Sequence, residues 1–209
     1  HYSSLTVYCH FLSNNAQVTN HFNKFKIMKI TQHWLSQATH CPSPNFDERP
    51  DESDISLIVI HCISLPAGQY NNKNIDLFFQ NKLPPLADLS FQQIAKMKVS
   101  AHLLIRRNGD ITQYVPFNMR AWHAGKSLYQ GRSQCNDFSI GIELEGTDDS
   151  PYQEAQYVKL AHVIKPLIAH YPKLTTKQIT GHSTIAPDRK SDPGHYFNWE
   201  KINHLLKTP

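Results

Sequence analysis

Residues 180–194 read T-G-H-S-T-I-A-P-D-R-K-S-D-P-G, and five of these side chains are ionisable: His182, Asp188, Arg189, Lys190 and Asp192. Pro187, Pro193 and Gly194 keep the stretch from being a regular helix, so it is read as a loop following the short β-like run 178–180. The same composition suits a solvated surface loop. A second histidine changes the reading. Residues 55–61 (I-S-L-I-V-I-H) form a β-branched run with apolar residues on both faces, as in a covered central strand, and the run stops at His61. Two histidines at strand ends plus the loop carboxylate of Asp192 match the three-ligand pattern of catalytic zinc, which keeps a fourth position open.

Further side chains suited to chemistry lie between these two histidines. Residues 138–145 (F-S-I-G-I-E-L-E) alternate in the manner of a strand. With Phe138, Ile140 and Ile142 on one face, Ser139, Gly141 and Glu143 share the other. Small neighbours then leave room beside Glu143 for a ligand or a metal-bound water. Trp122 and His123 sit in a glycine-ended turn (R-A-W-H-A-G, 120–125) that suits a pocket wall or plain packing equally. His102 lies inside a strand pattern and is expected to be structural. Cys62 follows His61 directly, and adjacent strand residues point to opposite faces, so it is not expected to be a ligand.

The elements that must position these groups follow from local pattern. A short helix is expected over 28–38, an extended connection through Cys41-Pro42-Ser43-Pro44, and partial helix over 75–83. A helix over 89–97 takes Ser90 as N-cap and Gln93 as its capping-box partner. Residues 99–106 and 111–115 form a hairpin through Asn108-Gly109. Ser150, Pro151 and Gln153 open a helix whose stripe runs Tyr157, Leu160, Ala161, Ile164, Leu167, Ile168 and Tyr171, with a bend expected at Pro166. Asn198 caps a closing helix over 199–206. Strands alternating with helices give an α/β fold with a mixed sheet.

Composition bounds the function. The 209 residues suit one domain. A net charge of +4 without a basic block argues against nucleic-acid binding. No apolar run approaches the roughly 18 residues that span a bilayer, and no export signal is evident. Cys9, Cys41, Cys62 and Cys135 are widely spaced, as expected of reduced thiols in a cytoplasmic protein. Residues 1–27 lack a clear period and an acidic residue, and are read as an N-terminal extension to a domain over 28–209.

Five blocks together resemble the AmpD family of zinc-dependent N-acetyl-anhydromuramyl-L-alanine amidases: I-V-I-H (58–61) with I-S-L-P beyond Cys62, V-S-A-H-L-L-I-R-R-N-G (99–109), A-W-H-A-G (121–125), N-D-F-S-I-G-I-E-L-E-G (136–146) and 180–194. The resemblance runs from about residue 28 to 206. It implies a single-domain α/β fold, a central mixed sheet flanked by helices, like that of amidases and peptidoglycan recognition proteins. It implies one Zn2+ per chain held by His61, His182 and Asp192, Glu143 as acid/base and Lys190 as charge stabiliser. Arg189, Lys98, Trp122 and His123 are the expected substrate contacts. The implied substrate is an anhydro-N-acetylmuramyl peptide, cleaved by a monomer in cytoplasmic peptidoglycan recycling and so in control of β-lactamase induction. Departures at Cys62, Lys98 and Gln134 bear on substrate grip. A muropeptide-binding module without catalysis, or a periplasmic amidase acting on polymeric peptidoglycan, are the other classes compatible with such a pocket.

Overall fold

The computed structural model describes residues 28–208; the expected extension over 1–27 lies outside the described residues. Six strands build the main sheet: β1 (Thr39–His40), β2 (Leu57–Ile63), β3 (Leu103–Ile105), β4 (Ile111–Gln113), β5 (Ser139–Glu145) and β6 (Ile179–Gly181). Their order is β6-β2-β5-β3-β4-β1. All neighbours are parallel except the antiparallel β3–β4 hairpin, so the sheet is mixed, as expected. The helices are α1 (Asn74–Phe79), α2 (Phe91–Ile94), α3 (Glu154–His170), α4 (His182–Ile185) and α5 (Trp199–Lys207). Among the described residues no helix is long and apolar enough to cross a membrane.

The two seven-residue strands form the centre: β2 is largely apolar on both sides because both faces are covered, whereas β5 is apolar on one face and carries Ser139, Gly141, Glu143 and Glu145 on the other. Ile58, Ile60, Ile140 and Ile142 pack with Leu160, Ile164 and Leu167 of α3 in the larger core. Leu57 and Val59 face the other way, with Ala124, Cys135, Phe138 and Ile185. Burial of one such aliphatic side chain stabilises the fold by about 1.5–3 kcal/mol, so the central pair is a rigid platform. Its register sets Glu143 opposite His61. In-register parallel partners project to the same face, and the site begins there.

Several expectations needed correction. Residues 28–38 are not helical: Ile30–Thr31 pairs antiparallel with Trp34–Leu35 across Gln32 and His33, both at positive φ. The buried Gln113 amide holds this hairpin by accepting from the Leu35 N–H at 2.6 Å, a tertiary contact that local periodicity does not encode. The helix over 89–97 shrinks to α2, and Ser90 stands at its N-cap position as expected but makes no side-chain cap hydrogen bond. Instead Ser90 donates both its N–H and its hydroxyl to the Asp88 carboxylate. β2 does not stop at His61 but runs on to Ile63, while β3 is shorter than the expected 99–106. α3 starts later than expected, with Gln153 as N-cap in a reciprocal capping box with Gln156, and is continuous through Pro166. The delay follows from Tyr152, which is buried and donates to the Pro193 carbonyl at 2.7 Å, holding its segment extended. Asn198 caps α5 as expected, accepting from the Lys201 N–H.

Candidate active site

The side chains at the C-terminal half of β2 and β5 and the start of α4 meet in one place. His61 Nδ1 lies 3.0 Å from His182 Nδ1, and Asp192 Oδ2 lies 3.1 Å from each. Ligand atoms of a tetrahedral zinc site with bonds of about 2.0–2.2 Å stand about 3.3–3.5 Å apart, close to this triangle. The loop supplies Asp192 because its ends are pinned. Ser183 N–H donates to the Asp192 carbonyl at 2.9 Å, Pro193 packs against Gly181, and Gly194 lies so close to Asp148 that a Cβ would meet the Asp148 carbonyl oxygen at 1.9 Å.

Electrostatics favour ligation. Burial pushes the His61 imidazole down to about 4, so it is neutral near pH 7 with a lone pair available. Burial works to raise the Asp192 carboxyl, but hydrogen bonds with His182 and His61 outweigh it and hold the group below the usual carboxylate range. An ionised carboxylate and the neutral His61 imidazole thus converge with His182 in a donor set that suits a divalent cation. Among the described residues this is the one His/Cys/Asp/Glu group close enough to hold a metal ion.

Glu143 stands beside the triad. Its Oε2 is buried without a hydrogen-bond partner, and burial, then the Asp192 charge, pushes its carboxyl well above the usual range against the opposing pull of Lys190. Both Glu143 and Lys190 line a cleft of about 230 Å³ together with His61, His182, Asp192 and Trp122. One wall of that cleft is apolar, made of Phe78, Phe79, Ile94, Met97 and Val99. Sequence reading missed this wall, since its residues come from two short helices and the segment after the second, which only the tertiary fold brings beside the site.

The expected strand alternation holds from Ser139 onward, with Gly141 and Glu143 on the site face; Phe138, just before the strand, packs on that side as well. The room expected beside the small residues is filled. His123 lies over Gly141 so closely that a Cβ there would meet its ring at 2.5 Å. His123 Nδ1 is 2.9 Å from His61 Nε2, and its Nε2 is 3.3 Å from Ser139 Oγ. Trp122 lines the cleft and donates from its indole to Asp47 at 3.0 Å. Arg189 is not brought into the cleft: its guanidinium donates to the Ala124 and Lys126 carbonyls at 2.6 and 2.8 Å, bracing the loop behind the site. Lys98 is exposed between Met97 and Val99, outside the lining. Cys62 packs towards the α3 side and pairs with Tyr152, and burial pushes its thiol up to about 12, so it takes no part in the triad.

Near His123 lies a buried arginine that sequence reading also missed. Arg49 donates to the carbonyls of Phe117, Asn136, Asp137 and Ser139, tying together the segments that flank the site. His102 is a structural residue, as expected. Its Nδ1 accepts from the Gly141 N–H at 3.0 Å, so its proton is on Nε2, donated to the Met119 carbonyl at 3.0 Å.

Residues 51–195, which span His61, His123, Glu143, His182, Lys190 and Asp192, match the family Amidase_2, described as N-acetylmuramoyl-L-alanine amidase. This chain belongs to the AmpD family of amidases. It is 53% identical over 179 residues to 1,6-anhydro-N-acetylmuramyl-L-alanine amidase AmpD of Escherichia coli K12, spanning 86% of this chain and 97% of that protein. Against the AmpD of Enterobacter cloacae identity is 51%, over 87% and 96% of the two chains. Its structure is similar to a crystal structure of a selenomethionine derivative of AmpD, with a TM-score of 0.83 at 52% identity, covering 86% of this chain and 99% of that one. It is also similar to the E. coli amidase AmiD in complex with anhydro-N-acetylmuramic acid-L-Ala-D-γ-Glu-L-Lys, with a TM-score of 0.53 at 29% identity, covering 86% and 66% of the chains. Fold and family membership thus agree with the resemblance carried by the five sequence blocks.

Proposed function

We propose that the protein hydrolyses the amide bond between the lactyl group of 1,6-anhydro-N-acetylmuramic acid and the L-alanine of its stem peptide. The observation that carries this reading is an unpartnered buried carboxyl, Glu143 Oε2, beside a converging His61–His182–Asp192 triad in one cleft. Membership in the AmpD family supplies the substrate class, and the muropeptide bound by AmiD is chemically of that class.

His61, His182 and Asp192 would hold one zinc ion per chain, which would supply Lewis acidity at the scissile carbonyl and lower the pKa of a water from about 15.7 towards 7. One carboxylate among three ligands leaves that centre net positive. Glu143 is the proton carrier. Its raised affinity for protons lets it take one from the attacking water and hand it to the departing amine of L-alanine. Lys190, at the cleft, offers positive charge to the developing oxyanion. Trp122 and the apolar wall opposite shape the sugar and peptide path, with Lys98 at the rim as a partner for a stem-peptide carboxylate. Arg189 acts on the substrate only indirectly, through the Ala124 and Lys126 backbone.

In the cell this activity belongs to cytoplasmic peptidoglycan recycling by a monomer, and to lowering the muropeptides that signal β-lactamase induction. The test is stem-peptide release from purified anhydro-muramyl-tripeptide by the zinc-loaded protein, with metal content measured alongside. Release of free tripeptide is expected. A zinc-loaded protein that binds the muropeptide and leaves it intact would instead identify a binding module.

A further inference from the structure

We propose that His123 is a positioning residue that fixes the tautomer and ring angle of His61, and thereby sets the affinity of the triad for its metal. The inference rests on the zinc reading above. His61 turns Nδ1 towards His182 and Asp192, so a cation in the triad leaves the His61 proton on Nε2. That N–H points at His123 Nδ1, 2.9 Å away. His123 Nδ1 must accept, which leaves its own proton on Nε2, directed at Ser139 Oγ at 3.3 Å. Only one arrangement of protons satisfies all three groups. The alternative tautomer of His123 would set two N–H groups against each other at 2.9 Å.

The backbone is shaped for this ring. The rings of His61 and His123 meet edge to face at 85°, with centroids 5.0 Å apart. Gly141 is the floor, because any side chain there would occupy the ring's position. Asn136 Oδ1 accepts the backbone N–H groups of His123 and Ala124 at 3.2 and 2.8 Å and so sets the turn that carries the ring. The second ligand is oriented by the same turn, since His182 Nε2 donates to the Ala124 carbonyl at 3.1 Å. Two consecutive residues therefore orient both histidine ligands. A group so engaged on both ring nitrogens holds a ligand rather than a substrate. Outer partners of this kind are worth about 10–100-fold in metal affinity.

The experiment is zinc titration against a chromophoric chelator for wild type, His123→Leu and His123→Asn. Leucine fills similar space without an acceptor, whereas the asparagine Oδ1 occupies the Nδ1 position and can accept from His61. We expect zinc binding about 10–100-fold weaker in His123→Leu and recovery of most of that loss in His123→Asn. Wild-type affinity in the leucine variant, or an asparagine variant as weak as leucine, would overturn the inference. A second measurement needs no variant: ¹⁵N NMR of the histidine rings in the zinc-loaded wild type should find His123 with its proton on Nε2. A proton on His123 Nδ1 would overturn it as well. A wild type that takes up no zinc would sink the metal reading itself, and is distinguishable from either result.

Discussion

Glu143 and Gln156 are both buried polar side chains facing the centre of the sheet region, yet only one is satisfied. Gln156 donates to the carbonyls of Ile105 and Glu145, while Glu143 Oε2 has no partner. Burying such a group costs stability, so it is kept where chemistry needs it. Replacing Glu143 by Gln preserves shape and removes the titrating group. Amide hydrolysis is expected to fall by about 10²–10⁴-fold with zinc content unchanged, read from product release and metal analysis. The same variant has an opposite effect on stability. Because the folded carboxyl holds its proton more tightly than the unfolded one, the metal-free wild type loses stability as pH rises above the unfolded value near 4.5. Metal-free Glu143→Gln should therefore melt above metal-free wild type at pH 7, and an equal or lower Tm there would contradict the buried, proton-holding state of Glu143. At this scale the convergence of His61, His182 and Asp192 was legible from residue type and from their placing beside strands, although His61 lies inside β2 rather than at its end. The role of His123 was not legible, since its partner His61 lies 62 residues earlier in the chain.

At the scale of elements, β5 combines two demands that usually conflict. As a central strand it needs β-branched residues, which Ile140 and Ile142 supply on the α3 side. On the site side it needs absence, which Gly141 supplies. Glycine in a strand interior ordinarily weakens it, and replacement by alanine would gain about 0.5–1 kcal/mol. Here the sign should reverse. The Cβ of Gly141→Ala would stand 2.5 Å from the His123 ring, which is held by His61 on one side and Ser139 on the other. We expect a loss of about 1–3 kcal/mol in urea unfolding, the cost of overpacking. A gain in stability would mean that the ring is free to move. The long elements, β2, β5, α3 and α5, were readable from periodicity and caps. So was the β3–β4 hairpin, but the 30–35 hairpin, the length of α2 and the late start of α3 were not: they depend on Gln113, Asp88 and Tyr152, which act across space or override a cap signal.

At the scale of the whole molecule, the site dominates how stability responds to pH. Burial holds His102 at about 3 and His61 at about 4, and burial helped by the charges of neighbouring histidines holds His123 well below its ordinary value. In the unfolded chain each titrates near 6.5. Between these values the unfolded state binds the extra protons, so stability is present above 6.5 and is lost as pH falls. Each such histidine contributes up to about 1.4 kcal/mol per pH unit in that window. Glu143 pulls the other way over part of it, but one carboxyl does not offset three histidines. Metal binding sharpens the dependence, since His61 and His182 must be unprotonated to act as ligands. Zinc at a hundredfold excess over its Kd should add about 2.7 kcal/mol at pH 7. We therefore expect the Tm of the metal-free protein to fall on going from pH 7 to pH 5, and the increment given by zinc to shrink over the same range. Calorimetry with and without zinc at each pH checks both. An increment independent of pH would mean that the cation is bound by groups other than His61 and His182, and a metal-free Tm that rises on acidification would mean that these histidines are protonated in the fold.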